Sequence, residues 1–350
     1  MKKITRLLFL ALVLLCAFDV TAQEADTLKK KKEKNFRITK LCVETRADFK
    51  ANFDKGFSST GLGFRGRYLN VVLDGQITPK LRFSYRQRLN VWEQGFTNFF
   101  KGTDWAQLIW QAHKNIAVSG GKQVLMIGGW EYDLPPIDVF MPSEFWNTIP
   151  CYEIGASVVF NDNEGKHNIY LQVTNSPFAT KALSGMFAYN LCWQANLGFF
   201  KPSYSFNMLE SSKGNFISYI ALGNKFEFEK CMFVVDFMNR ASFKQQRYFF
   251  SDFTLTAEAH YCPTQRWDIF VKGGHDANHA QPADTDPADI FDLTVKPGVV
   301  YDFAGLGFTY CPLIGKHLVR LHFTASAGRM DGAFAYCLNT GLTWKIRFIQ

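Results

Sequence analysis

The chain has 350 residues and a formal net charge of +8 at pH 7; aromatic residues make up 16% of it, yet its mean hydropathy is only −0.10. Beyond the N-terminus no uninterrupted apolar stretch reaches the ~20 residues of a transmembrane helix, which argues against a helical membrane protein. Many aromatic residues at low mean hydropathy are instead what strands with one apolar and one wet face would give.

The N-terminus has the parts of a secretory signal peptide. Basic residues near the start precede an apolar run over residues 7–18, and small residues lead up to a cleavage site after Ala22. We therefore expect residues 1–22 to be removed on export. Residues 23–40 then form a predicted Lys-rich periplasmic leader, since the lysines at 29–32 indicate a solvated tail. Nucleic acid is not an expected partner, because an exported protein rarely meets it.

Seven cysteines follow the predicted cleavage site, at positions 42, 151, 192, 231, 262, 311 and 337. An odd number cannot all pair internally, and the spacing shows neither a C-x-x-C motif nor a zinc pattern. We expect most of them to be buried or lipid-facing thiols, with one or two disulfide bridges as the open alternative.

The first element after the leader is a predicted strand. Over residues 43–53, apolar side chains alternate with polar and charged ones, so that Lys50 and Asn52 fall on the polar face. Such a length is long for a soluble sheet but suits a tilted membrane strand of ~9 to 11 residues. The alternation recurs, cleanly or with partly mixed faces, in residues 189–199, 216–228, 249–261, 318–327 and 334–348.

The clearest amphipathic strand is predicted over residues 80–92. Phe83 lies on its apolar face, while Arg82, Arg86 and Arg88 lie on the other face. In a soluble sandwich the apolar face would point into a core and the arginines to solvent. In a membrane barrel the apolar face would meet lipid, and the arginines would line a water-filled lumen.

The connections help to decide between these two architectures. Short turns predicted at prolines alternate with longer loops around 93–104, 125–152, 175–187 and 275–296. Short turns on one rim and long loops on the other are typical of outer-membrane barrels. The spacing gives about 16 strands. We therefore predict an all-β protein whose residues 41–350 form a transmembrane antiparallel up-and-down barrel, with a soluble all-β protein as the alternative.

Two stretches carry a resemblance to a known family. Residues 63–70, with the sequence GFRGRYLN, and residues 74–80, with the sequence DGQITPK, lead into the arginine strand and resemble the phosphate-selective porin O and P family. The sequence GGKQ at 120–123, followed by GGWE at 128–131, resembles that family's strand entering an inward-folded constriction loop. The resemblance implies a 16-stranded, trimeric porin whose lumen carries a ladder of arginines for oxyanions.

The residues expected to line the pore are basic: Arg65, Arg67, Arg82, Arg86, Arg88 and Lys122. Fixed positive charges at successive heights would attract an anion from one site to the next. Guanidinium groups suit oxyanions because they present forked donors and stay charged. The alternative is an ordinary lumen wall whose cations are neutralised by acidic residues opposite.

The candidate constriction loop is acidic. Residues 130–146 contain no lysine or arginine, and their carboxylates belong to Glu131, Asp133, Asp138 and Glu144. If this loop faces the arginines, a transverse field would cross the narrowest part of the pore. Such a field would favour small polar solutes over lipophilic ones without strong selectivity.

We expect a passive porin of the outer membrane, embedded in lipid and homotrimeric, that needs no cofactor and passes small hydrophilic or anionic solutes, with phosphate among them. A plugged barrel acting as receptor, adhesin or scaffold is the main alternative, and a barrel hydrolase is a further one. No catalytic motif supports an enzyme. His275 and His279 fall in a predicted loop, and Asp284 to Asp289 lack the glycine and glutamate of a calcium loop, so no metal site is expected.

Overall fold

The structure is a computed structural model that describes residues 36–89, 100–149, 151–179, 184–245, 247–279, 294–313 and 318–349. The predicted signal peptide and most of the predicted leader lie outside these residues. Residues 37–40, which the sequence predicts to end the leader, belong to the first strand.

The described residues form sixteen strands in one closed antiparallel barrel, in which each strand pairs with its neighbours along the chain and the last strand pairs with the first. This confirms the predicted fold class and strand number. The strands are β1 Arg37–Asp54, β2 Ser59–Thr78, β3 Leu81–Arg88, β4 Thr103–His113, β5 Ile116–Val124, β6 Tyr152–Asn161, β7 His167–Asn175, β8 Phe187–Ala195, β9 Phe200–Ser212, β10 Asn215–Glu227, β11 Cys231–Ser242, β12 Asp252–Thr264, β13 Trp267–Asn278, β14 Val300–Leu313, β15 Leu318–Met330 and β16 Ala333–Ile349.

Alternation along each strand separates two environments. In β7, Ile169, Leu171 and Val173 are 42%, 46% and 45% exposed, whereas Gln172 and Thr174, at the alternate positions, are buried. Exposed apolar side chains recur at alternate positions in strand after strand, which gives the barrel an apolar outer face for lipid. The polar side chains therefore face the interior.

Several predicted boundaries shift. Pro202, Pro263 and Pro312 lie within β9, β12 and β14 rather than in turns. They are close to one rim, where the connections are short, such as residues 79–80 between β2 and β3. The predicted loop around 275–296 also starts too early, because His275 belongs to β13. Strands thus run further toward the rims than the turn residues indicate.

The connection between β5 and β6 contains the helices of the described part of the chain. They are α1 (Trp130–Asp133), a 3-10 helix (Pro136–Asp138) and α2 (Glu144–Thr148). Ser143 caps α2, since its hydroxyl accepts a hydrogen bond from the backbone N–H of Trp146 at 3.2 Å. No helix among the described residues has the length and apolar character needed to cross a membrane.

The seven cysteines at positions 42, 151, 192, 231, 262, 311 and 337 are all free. Cys42 and Cys192 are buried, Cys262 is exposed, and the others are partly buried. No group of three or more His, Cys, Asp or Glu side chains within the described ranges could hold a metal ion.

Candidate solute path inside the barrel

Residues 125–149, which connect β5 to β6 and are called the β5–β6 segment below, are hydrogen bonded to many strands of the wall. Their partners are Gln172 on β7, Ser205 and Asn207 on β9, Asp236 on β11, Lys272 and Asp276 on β13, Arg320 on β15, Lys345 on β16 and Arg46 on β1. The segment is therefore fixed along its length to strands from both halves of the chain.

Glycines let the start of the segment come close to the wall. A Cβ atom on Gly128 would lie 2.7 Å from the carbonyl oxygen of Ser203, and one on Gly223 would lie 2.7 Å from the Cα of Gly129. Gly129 also has a φ of 99°, which favours glycine. The GG of the GGWE sequence is thus needed for close approach of two backbones.

Directly after these glycines, the first turn of α1 binds a carboxylate of the wall. The backbone N–H groups of Trp130 and Glu131 donate to Asp236 at 2.9 and 2.7 Å, and the indole N–H of Trp130 donates to the carbonyl of Lys201 at 2.9 Å. The ammonium of Lys225 lies 3.6 Å from the centre of the Trp130 ring. The WE of the GGWE sequence therefore anchors the segment to β9, β10 and β11.

Two of the four predicted acids of this segment are neutralised by lysines and arginines of the wall. Glu131 is 5% exposed and accepts a hydrogen bond from the ammonium of Lys272 at 2.7 Å. Asp138 accepts from Arg320 at 2.5 Å and from Lys345 at 2.8 Å. Although burial opposes ionisation, these two cations hold the pKa of Asp138 below its ordinary value. The cations that pair with Glu131 and Asp138 are thus not the predicted arginines.

The other two acids have different surroundings. Asp133 is exposed and lines a cavity described below. The backbone N–H of Glu144 donates to Asp276 at 3.1 Å, and its carboxylate accepts from the side-chain amide of Asn147 at 3.2 Å. Glu144 shares a cavity with Arg65 and Arg67, and Asp133 shares the other cavity with Arg86.

An apolar cluster also holds the segment. Its members from the segment are Leu125, Ile127, Tyr132, Phe145 and Ile149, and those from β8 to β11 are Ala188, Leu209, Ile217, Tyr219, Ala221 and Met238. At 25 cal/mol per Å² of buried apolar surface, such side chains contribute roughly 1.5–3 kcal/mol each when fully buried. The segment therefore has a core of its own in addition to its polar anchors.

The arginines of β3 are largely paired. Arg86 is 2% exposed, and its guanidinium lies 3.3 Å from Asp104 and 3.9 Å from Glu44. The Nε of Arg88 lies 2.7 Å from the same Asp104, which is fully buried. Arg82 is exposed close to the rim of short turns. Of the three arginines predicted to form a ladder on β3, Arg86 and Arg88 thus belong to an ion-pair cluster around Asp104.

Arg65 and Arg67 lie in a different setting, which a bulge creates. Asn70 is fully buried and pairs with Glu44, so counting back in twos would put Arg65 on the outer face. The register shifts between the pairs Arg46–Tyr68 and Ala47–Gly66, which leaves Arg67 as the extra residue. Arg65 therefore lies opposite Asp48 in the backbone register of β1 and β2, and its side chain is on the inner face.

Both arginines line a cavity of about 320 Å³ together with Arg46 and Lys50 of β1. We call it the cationic pocket; the segment and β14 to β16 complete its walls. Among its lining residues Glu144 is the acid, against four cations. Arg46 is buried, bonded to Asp48 at 2.9 Å and to the carbonyl of Val139 at 3.0 Å.

Lys122 does not join this set. Its ammonium donates to the carbonyl of Phe100 at 3.0 Å, and its backbone pairs with Ala106 and Ile154. The next residue, Gln123, is buried instead, and its side-chain oxygen accepts a hydrogen bond from the hydroxyl of Ser157. The structure thus brings Arg65 and Arg67 together, pairs Arg86 with Arg88 around Asp104, and leaves Arg82 and Lys122 apart.

A second cavity, of about 420 Å³, lies between the segment and strands β3 to β8. Its lining includes five aromatic side chains: Trp105, Tyr132, Trp146, Tyr152 and Tyr170. Its charged lining residues are Arg86, already paired with Asp104, and Asp133. We call it the aromatic cavity. Sequence alternation alone gave no signal for it, because its rings come from five separate elements or connections.

Comparison with known proteins adds a family and a fold. Residues 39–198 match the family model described as phosphate-selective porin O and P. The resemblance found in the sequence is confirmed over this range. The barrel has a porin fold. None of the curated proteins compared with the chain matches it in sequence.

Solved porin structures superpose over nearly the whole barrel. The anion-selective porin from Comamonas acidovorans has a TM-score of 0.59 at 10% identity, covering 89% of this chain and 100% of that chain. The outer membrane channel DcaP of Acinetobacter baumannii has a TM-score of 0.58 at 11% identity, covering 91% and 99%. OmpT of Vibrio cholerae has a TM-score of 0.58 at 9% identity, covering 91% and 99%. The TM-scores show a shared fold, and at these identities the likeness shows the fold alone.

The family match and the fold give the porin its location and coarse function. It is a protein of the Gram-negative outer membrane, and the family match over residues 39–198 together with the porin fold supports a channel function. The apolar outer face of the strands agrees with that location.

Proposed function

We propose that the porin lets small hydrophilic solutes diffuse across the outer membrane and that it prefers anions, phosphate among them. The cationic pocket carries this proposal, because Lys50, Arg65 and Arg67 line a cavity of about 320 Å³ whose lining acid is Glu144, while its fourth cation, Arg46, is bonded to Asp48. An excess of fixed positive charge at a narrow point raises the local concentration of anions and lowers that of cations.

The choice of this pocket over the arginines of β3 rests on their partners. Arg86 and Arg88 share the buried carboxylate of Asp104, so their field is largely cancelled at short range. Arg65 and Arg67 present guanidinium forks toward a cavity whose acid is Glu144. Forked donors match the geometry of phosphate and carboxylate oxygens.

We further propose that the β5–β6 segment narrows the lumen and that the porin is a homotrimer. Anchors on strands from β1 to β16 support the first point. The family resemblance supports the second. Chemical cross-linking of the purified porin would give a three-subunit product if the second point holds, and monomer alone would contradict it.

The test of anion preference is the reversal potential of single channels in a KCl gradient. Lys50→Gln, Arg65→Gln and Arg67→Gln together remove three charges from the cationic pocket, and we expect the chloride preference of the porin to fall several-fold. A matched triple, Lys40→Gln, Lys80→Gln and Arg82→Gln, removes the same charge near the other rim and should shift the potential far less. Equal shifts in both triples would contradict the assignment to this pocket.

The apolar cluster and the polar anchors of the segment favour one alternative, a plugged barrel that binds a ligand from outside. Such a barrel would show no ion-permeable steps in a planar bilayer. Current steps in the unmodified porin would exclude it.

A further inference from the structure

The aromatic cavity has a chemical character that anion passage does not use. Trp105 and Tyr152 approach each other with ring centres 6.2 Å apart, and Trp146 of α2 lines the cavity from the segment. Aromatic rings supply broad apolar faces at low entropic cost, and those of Tyr and Trp also carry a polar edge. A flat ligand with apolar faces would therefore find stacking surfaces here.

Neutral polar groups stand beside these rings. Gln107, Gln123 and Gln194 line the cavity, as do two serines. The side-chain oxygen of Gln123 accepts hydrogen bonds from Ser119 at 3.2 Å and Ser157 at 2.8 Å. Its side-chain nitrogen is buried and has no hydrogen-bond partner among the described residues. An amide N–H in that state favours a ligand that brings an oxygen acceptor.

The charges around the cavity nearly cancel. Arg86 has Asp104 at 3.3 Å and Glu44 at 3.9 Å, so little net positive charge is left for an anionic ligand. Asp133 adds one exposed carboxylate. A purely apolar ring would leave the amide of Gln123 unpaired, whereas a polyhydroxylated ring would satisfy it. These conditions together select an uncharged ligand with an apolar face and a polar rim.

We propose that the aromatic cavity is a binding subsite for neutral sugars on their way through the porin. The apolar C–H face of a sugar ring stacks on Trp146 and Tyr170, and its hydroxyl groups bond to the side chains of Gln123 and its neighbours. This proposal rests on the channel function proposed above, and it adds an uncharged solute class held at a second place.

Binding can be measured without current. The purified porin in detergent is titrated with glucose and, separately, with maltose, while tryptophan fluorescence is recorded. We expect a saturable change that weakens about tenfold in Trp146→Leu and less in Trp146→Phe, which keeps a ring. The matched control Trp267→Leu removes an indole of β13 from outside the cavity and should leave the titration unchanged. A non-saturable signal, or equal weakening in Trp146→Leu and Trp267→Leu, would overturn the proposal.

The same sugars are then added to single channels. Glucose or maltose should reduce the current of the unmodified porin reversibly, and Tyr170→Leu should relieve the reduction. Sodium benzoate serves as the aromatic anion; block by benzoate without any effect of sugar would assign the cavity to aromatic acids and overturn the sugar subsite. Absence of current together with saturable fluorescence would remove the channel function and keep the binding site. Current that glucose and maltose do not affect would keep the channel function and overturn the sugar subsite.

Discussion

The cationic pocket and the aromatic cavity share one wall, the β5–β6 segment, yet they offer a solute opposite surroundings. Both have arginines in their linings. The arginine of the aromatic cavity, Arg86, is matched by Asp104 and Glu44, whereas the arginines of the pocket, Arg65 and Arg67, share a cavity with a single acid. What distinguishes two regions of a lumen is therefore the position of the acids as much as that of the bases.

The largest effect is expected where the shared wall is released. Lys272→Met would leave Glu131 buried without its cation, and breaking a buried pair in this way costs roughly 3–5 kcal/mol. The segment should then loosen, and both cavities should lose their separate character. We expect single-channel conductance to rise and fluctuate. Lys166→Met breaks an exposed pair with Glu164 and is the control that should change nothing; a steady, unaltered current in Lys272→Met would show that the segment is held without this pair.

A smaller change should make the two regions alike. Asp104→Asn removes the carboxylate shared by Arg86 and Arg88, so positive charge should appear beside the aromatic cavity. We expect a stronger anion preference in the reversal potential, with a lower thermal stability because Arg88 loses the carboxylate of Asp104 and Arg86 keeps only Glu44 at 3.9 Å. Asp331→Asn makes the same charge change in an exposed turn. Identical reversal potentials in both variants would mean that Asp104 does not control the field in the pore.

The mildest test uses cysteines already present. Cys337 lines the cationic pocket and Cys151 lines the aromatic cavity. Burial raises the pKa of the Cys151 thiol to about 11, so its reaction should be slow with any reagent. The informative quantity is the ratio of the labelling rates by negatively and positively charged methanethiosulfonates, read by peptide mass spectrometry. This ratio should be several-fold higher at Cys337 than at Cys151. Equal ratios would show that the cationic pocket and the aromatic cavity do not differ in electrostatic potential.

Much of the wall could be predicted because its cause is local. Alternation in a strand depends only on neighbouring residues, so the faces of β1, β3 and β16 and the number of strands follow from the sequence. The turns predicted at Pro202, Pro263 and Pro312 were wrong because a proline near a strand end lacks one backbone donor but does not have to end the strand. Pro202 is an example, since it lies within β9 and is opposite Asn224 of β10.

The site was less predictable because its causes are distant. Asp104 falls in the predicted loop at 93–104, yet it belongs to β4 and pairs with two of the predicted pore arginines. The bulge at Arg67 decides the face of Arg65, and nothing in local alternation announces it. Lys50 was on the predicted polar face, but only the closed barrel shows that it shares a cavity with Arg65. Which acid meets which base depends on pairing across strands.

The bond between Asp138 and Lys345 joins residues 207 positions apart, and Lys345 belongs to the last strand. Contacts so remote along the chain form late, because a long loop must close before they are gained. The same carboxylate also binds Arg320 on the strand before. The pairing of β16 with β1 thus closes the barrel, and the strands at this closure also hold the β5–β6 segment. Removing β16 would therefore leave β1 without its pairing partner and Asp138 without the ammonium of Lys345.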